Sequence, residues 1–186
     1  SDIREDVEER YIGKIFDLKV FGGKFLSGQD ETVQAKKVKT VMRAKFSWDF
    51  ENMNPYLVDP YLYLYSSSGG CAEYYGKLLD DAVLKAEIKE AFNEPEEVLI
   101  YEEGAEDKYF VTCRREWYDG NETKFLDLKV EIYLGDEKTP SYTIVAPEWD
   151  DLSKNIWIPF VYDAKTNTIT EMNVMTDDYL QYLDLL

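Results

Sequence analysis

One stretch constrains the fold more than any other. From Lys37 to Phe50, apolar side chains fall on the even positions Val38, Met42, Ala44, Phe46, Trp48 and Phe50. Lys37, Lys39, Arg43, Lys45 and Asp49 fall on the odd ones. Successive side chains of a strand point to opposite faces, so a period of two describes a strand with one buried face. A helix would scatter the same residues around its circumference. The stretch is longer than an ordinary strand, which predicts a bulge inside it.

Similar patterns recur along the chain. Strands are predicted at Tyr11–Phe21, Tyr61–Tyr65, Val98–Glu102, Lys108–Tyr118, Phe125–Leu134, Tyr142–Ala146, Ile156–Tyr162 and Thr168–Val174. Turn residues separate them: Gly22-Gly23, Ser66 to Gly70, Asp119-Gly120-Asn121 and Asp163 to Asn167. Ala72 to Phe92 is rich in good helix formers. Its apolar residues form two stripes, Leu78/Leu79/Ala82/Val83/Ala86 and Leu84/Ile88/Ala91/Phe92, which predicts two helices or one bent helix. Thr176-Asp177-Asp178 predicts the start of a short C-terminal helix carrying Tyr179, Leu180, Leu183 and Leu186. Residues 1–10 fit a short capped helix or a frayed acidic tail. The expected architecture is a single α+β domain over residues 1–186. It is mainly an antiparallel β meander of about nine strands, sandwich or partly closed barrel, with a central helical segment and a short C-terminal helix.

Charge narrows the partners. The chain holds 38 acidic and 21 basic residues, a net charge of −17. The excess is uneven: residues 1–50 are nearly neutral, and residues 51–186 hold 29 acids against 11 bases. Direct binding of nucleic acid is disfavoured, because phosphates are repelled. Anionic membrane surfaces are disfavoured likewise. No stretch approaches the ~20 apolar residues of a membrane-spanning helix. A basic protein is the favoured partner, including one that itself binds nucleic acid. The chain opens on Ser1, compatible with a removed leader or a cleaved tag, so both extracytoplasmic and cytoplasmic placement fit.

Catalytic templates are scarce. The chain has no histidine, so no Ser-His-Asp or Cys-His arrangement can exist. Two cysteines cannot close a structural zinc site unaided, and no glycine-rich phosphate loop is present. No metal and no cofactor is expected. Cys113 lies on the same alternating face as Tyr109, Val111 and Trp117, which predicts a buried thiol. Acidic doublets such as Asp80-Asp81 and Asp177-Asp178 fit turns and helix starts better than a carboxylate pair spanning a cleft.

Three features suit binding. Lys36, Lys37, Lys39, Arg43 and Lys45 form a basic stretch, which reads as a solvated sheet face paired with acids such as Asp127 and Glu131. Tyr61, Tyr63 and Tyr65 share one face and suit packing of the sheet against a helix. Acidic residues mix with aromatics at Tyr101-Glu102-Glu103, Glu116-Trp117-Tyr118-Asp119 and Glu148-Trp149-Asp150. The expected partner-binding residues are Glu102, Glu103, Glu116, Trp117, Tyr118, Asp119, Glu148, Trp149 and Asp150. The expected function is a non-catalytic interaction module of inhibitor, immunity or antagonist type. The alternatives are an extracytoplasmic ligand- or carbohydrate-binding domain of lipocalin-like type and a carboxylate-dependent hydrolase.

Overall fold

The structure, a computed structural model, describes residues 39–50, 60–72, 78–80, 83–89, 95–114, 125–148 and 153–186. These residues form eleven strands: β1 Thr40–Phe50, β2 Tyr61–Ser66, β3 Cys71–Ala72, β4 Leu78–Asp80, β5 Val83–Lys89, β6 Glu96–Tyr101, β7 Lys108–Arg114, β8 Phe125–Leu134, β9 Tyr142–Val145, β10 Ile156–Asp163 and β11 Thr168–Thr176. Sheet A runs β4-β5-β6-β1-β8-β9, and sheet B runs β11-β10-β7-β2-β3. Every neighbouring pair is antiparallel.

The predicted long strand is the centre of sheet A. Met42, Ala44 and Phe46 are fully buried, as the alternation requires. They face Leu62, Leu64, Tyr109, Val111, Cys113, Trp157, Phe160 and Tyr162 of sheet B in one apolar cluster. The two sheets are therefore layers of one sandwich. Trp157 lies at its middle, edge-on to Phe46 with ring centroids 6.2 Å apart. The predicted bulge is present: the β1–β6 register shifts between Thr40 and Met42, where β1 carries the extra residue Val41. A second shift, between Ser47 and Asp49, falls in the β1–β8 pairing. Asp127 of β8 takes up the extra residue at φ 50°, a left-handed conformation that Asp tolerates better than most residues.

Two expectations are corrected. The strand count among the described residues is eleven, not nine. The central helical segment is not helical where it is described, because Leu78–Asp80 and Val83–Lys89 are strands β4 and β5. Propensity lost to pairing: Ala86 lies opposite Ile100 and Ile88 opposite Val98, so β5 extends sheet A. The drifting stripes have a local cause. Leu78 and Leu79 of β4 oppose Ala86 and Leu84 of β5, so β5 carries one extra residue, Lys85. The bulge sends Ala86 into the interior and Leu84 into a separate cluster with Leu99 and Tyr101.

The N-terminal helix or tail, the strand Tyr11–Phe21 and the turn Asp119-Gly120-Asn121 lie outside the described residues. Cys113 is buried and Cys71 exposed, and no disulfide joins them. Burial pushes the Cys113 thiol well above its ordinary pKa. Among the described residues no helix is long and apolar enough to cross a membrane.

Candidate functional site

The outer face of sheet B carries an aromatic platform. The backbone alternation of β2 puts Leu62 and Leu64 in the interior, and Tyr63 and Tyr65 on the opposite face. Tyr65 stacks on Phe110 of β7 at 4.8 Å between centroids, and on Tyr179 at 5.1 Å. Arg114, at the end of β7, lies between two rings: its guanidinium carbon is 4.1 Å from the Tyr63 centroid and 4.5 Å from that of Tyr179. Arg114 Nη2 donates to the Tyr65 hydroxyl at 2.6 Å. Burial pushes the Tyr65 phenol far above its ordinary pKa, although the Arg114 charge pulls the other way. That phenol therefore stays neutral across the physiological range.

The C-terminal segment closes over this platform. Asp178 N–H donates to Thr176 Oγ1 at 3.0 Å, and Leu180 N–H donates to Asp178 Oδ1 at 2.9 Å. These bonds start a 3-10 helix, Leu180–Leu185. The sequence predicted a helix here with Tyr179, Leu180, Leu183 and Leu186 together. A 3-10 helix has about three residues per turn, so Tyr179 and Tyr182 share one face and Leu180 and Leu183 share the next. Tyr179, Tyr182 and Leu186 pack onto the cluster of Tyr65, Phe110, Ile156, Ile158 and Val161. Leu180, Leu183 and Leu185 face solvent, with 58, 38 and 39 % exposure. Asp177, Asp178 and Asp184 are exposed around them.

Two polar ties hold the sheets together elsewhere. On one side Asn173 of β11 accepts from the Trp157 indole N–H at 2.9 Å and donates to the Val145 carbonyl of β9 at 3.1 Å. Its φ of 48° sits in a register shift opposite Pro159 of β10, which has no ladder donor to lose. On the other side Lys85 Nζ of β5 lies 3.1 Å from Asp107 Oδ2. The same carboxylate oxygen accepts from Ser68 Oγ at 3.0 Å, while the Tyr109 hydroxyl donates to the Gly104 carbonyl at 3.0 Å. Burial and the Asp107 charge push the Tyr109 phenol well above its ordinary pKa. A serine beside a lysine is a nucleophile–base pair in principle. Here the lysine is engaged by Asp107 and the serine hydroxyl donates to that same carboxylate, so the cluster reads as a fastening.

The expected partner-binding residues separate. Glu102 and Glu103 form a 3-10 turn between β6 and β7, and Glu102 is exposed. Glu148 is exposed beyond β9. Glu116, Trp117, Tyr118, Asp119, Trp149 and Asp150 lie outside the described residues. Tyr101 is not the surface aromatic the sequence suggested: it is 3 % exposed, and its hydroxyl donates to the Glu87 carboxylate on the outer face of sheet A. Of the basic stretch, Lys36 and Lys37 lie outside the described residues, and Asp127 forms no ion pair with the rest among the described residues, whereas Glu131 lies beside Lys45 as expected. Lys45 lies between Glu97 and Glu131 on the flanking strands, and Arg43 stacks on Tyr133 with Glu97 at 3.8 Å. Among the described residues no group of three or more Cys, Asp or Glu is placed to hold a metal.

Sequence reasoning missed Arg114 and the outward leucines. Arg114 became readable only once β2 and β7 were paired, Tyr61 opposite Arg114. A signal for the leucines was present: no basic residue follows Lys165, although Glu171, Asp177, Asp178 and Asp184 do. The chain matches no family model, no curated protein and no solved structure.

Proposed function

We propose that this protein is a non-catalytic interaction module that binds a basic partner in the manner of an inhibitor, immunity or antagonist protein. The partner class includes nucleases and other proteins with a cationic nucleic-acid groove. The observation that carries the proposal is how the charges are distributed. Glu102, Asp127, Asp136, Glu148, Glu171, Asp177, Asp178 and Asp184 are exposed and form no ion pair among the described residues. The cations are more often engaged: Lys85 by Asp107, Lys165 by Glu106, Arg43 by Tyr133 and Glu97, and Arg114 by its tyrosines. Such a surface speeds encounter with a cationic protein and supplies carboxylates for its Lys and Arg side chains.

A ligand held between the sheets has less support. Phe46, Tyr109, Trp157, Phe160 and Tyr162 fill the interior where the lipocalin-like alternative would need a cavity. The test is a binding titration of the full chain against purified basic nucleases and other cationic proteins, at low and high ionic strength. Tight binding at low salt that weakens steeply as salt rises is the expected result. No binding to any of them, or binding indifferent to salt, removes the proposal.

A further inference from the structure

We infer that the outer face of the C-terminal 3-10 helix is the docking surface, and that its occupant is a cationic amphipathic segment of the partner protein. The inference rests on the proposed binding of a basic partner and gives it a place. Large apolar side chains are exposed at five described positions, Tyr142, Val145, Leu180, Leu183 and Leu185, and three of these fall within one six-residue helix. Exposed apolar residues scattered singly are ordinary, whereas a grouped set on a firmly packed element is not. The helix underside is fixed: Tyr179 stacks on Tyr65 and covers Arg114, while Tyr182 and Leu186 pack on the platform. The leucines are therefore presented by a braced element, which lowers the ordering cost of binding.

Charge selects the occupant. Glu171, Asp177, Asp178 and Asp184 lie in the last 21 residues, 166–186, with no Lys or Arg among them. A partner that buries the leucines must bring groups that tolerate those carboxylates. A segment with leucine-like anchors on one side and Lys or Arg on its flanks satisfies both demands. A second copy of this chain would set acidic segment against acidic segment, and an anionic membrane would repel the surface.

The probe is a synthetic peptide with leucines recurring at i, i+3, i+4 and i+7 and lysines between them, titrated by fluorescence anisotropy into the full chain. Leu180→Ser combined with Leu183→Ser should weaken binding at least ~10-fold at low and high salt alike, as loss of apolar anchors does. Asp177→Asn combined with Asp178→Asn should weaken it at low salt and flatten its salt dependence. Both pairs are exposed, and asparagine at 178 keeps the oxygen that accepts from Leu180 N–H, so thermal melts should match the parent; the aspartate pair carries the test if the leucine pair folds poorly. Peptide binding lost on charge reversal of Glu102 and Glu103, but untouched by either pair, overturns the surface while leaving the proposed function standing. No binding of the peptide or of basic proteins by the parent chain overturns both. Self-association that disappears in the leucine variant also overturns the inference, assigning the surface to a second copy.

Discussion

The two sides of the sandwich are fastened in opposite ways. Between β9 and β11 a neutral amide, Asn173, satisfies one donor and one acceptor at fixed geometry. Beside β5 an ammonium, a carboxylate, a serine and a phenol share the work, with Lys85 and Asp107 side chains still 22 and 13 % exposed. The neutral tie depends on shape and the charged one on solution conditions. A left-handed asparagine is strained unless its bonds are made, so the first tie is all-or-none. The second can loosen in steps.

Alkali should separate the two ties most. Tyr65, Tyr101, Tyr109 and Tyr162 all have phenols raised above their ordinary value, chiefly by burial. Tyr162 is pushed up to about 12, with the Asp163 carboxylate adding to the effect of burial. Their stabilisation is complete below the unfolded value of about 10 and is lost as pH rises toward the folded values. In that window stability should fall by about 1.4 kcal/mol per pH unit for each such tyrosine. Urea midpoints measured across the window should decline, and amide exchange should rise around Gly104 and Tyr109 before it rises at β9. A flat midpoint, or β9 opening first, would contradict the contrast.

Substitutions come next in size. Asn173→Ala leaves the buried Trp157 N–H without its acceptor and puts alanine at positive φ, which should cost about 2–4 kcal/mol. Asn173→Asp keeps the acceptor and should cost less; equal losses in denaturant melts would mean that the Val145 bond dominates. Gly104→Ala should cost about 1–3 kcal/mol, because overpacking displaces neighbours. Its Cβ would collide with the Tyr109 hydroxyl and come within 2.9 Å of the Lys85 carbonyl. The smallest effect belongs to the ion pair. A double-mutant cycle of Lys85→Met and Asp107→Asn should give a coupling of about 1 kcal/mol that shrinks with salt. A cycle insensitive to salt would place the pair's value in packing.

Much of the sandwich was readable where the alternation was unbroken. Lys37–Phe50 announced the central strand, and the run Tyr109 to Cys113 announced the Cys113 face. What misled was irregularity. The bulge at Lys85 shifted the period of β5, and a sequence of Leu, Ala, Lys and Glu then resembled a helix. The C-terminal helix was legible as a helix, but its facing was not: the sequence grouped Tyr179 with Leu180 and Leu183, whereas three residues per turn set Tyr179 and Tyr182 on one face and Leu180 and Leu183 on the next. Tyr101 looked like surface because two acids follow it, whereas its hydroxyl is held by Glu87, fourteen positions earlier in the chain.

The enclosure of Arg114 by Tyr63 and Tyr179 has a consequence for specificity. The arginine joins the C-terminal helix to β7 through ring faces and a phenol, and no carboxylate takes part among the described residues. Contacts of this kind in a half-buried setting are screened less by salt than exposed ion pairs are. On the proposed function, ionic strength would act on recognition of the cationic partner and leave its scaffold alone. A partner released in a salty medium would then meet the same surface when the salt falls.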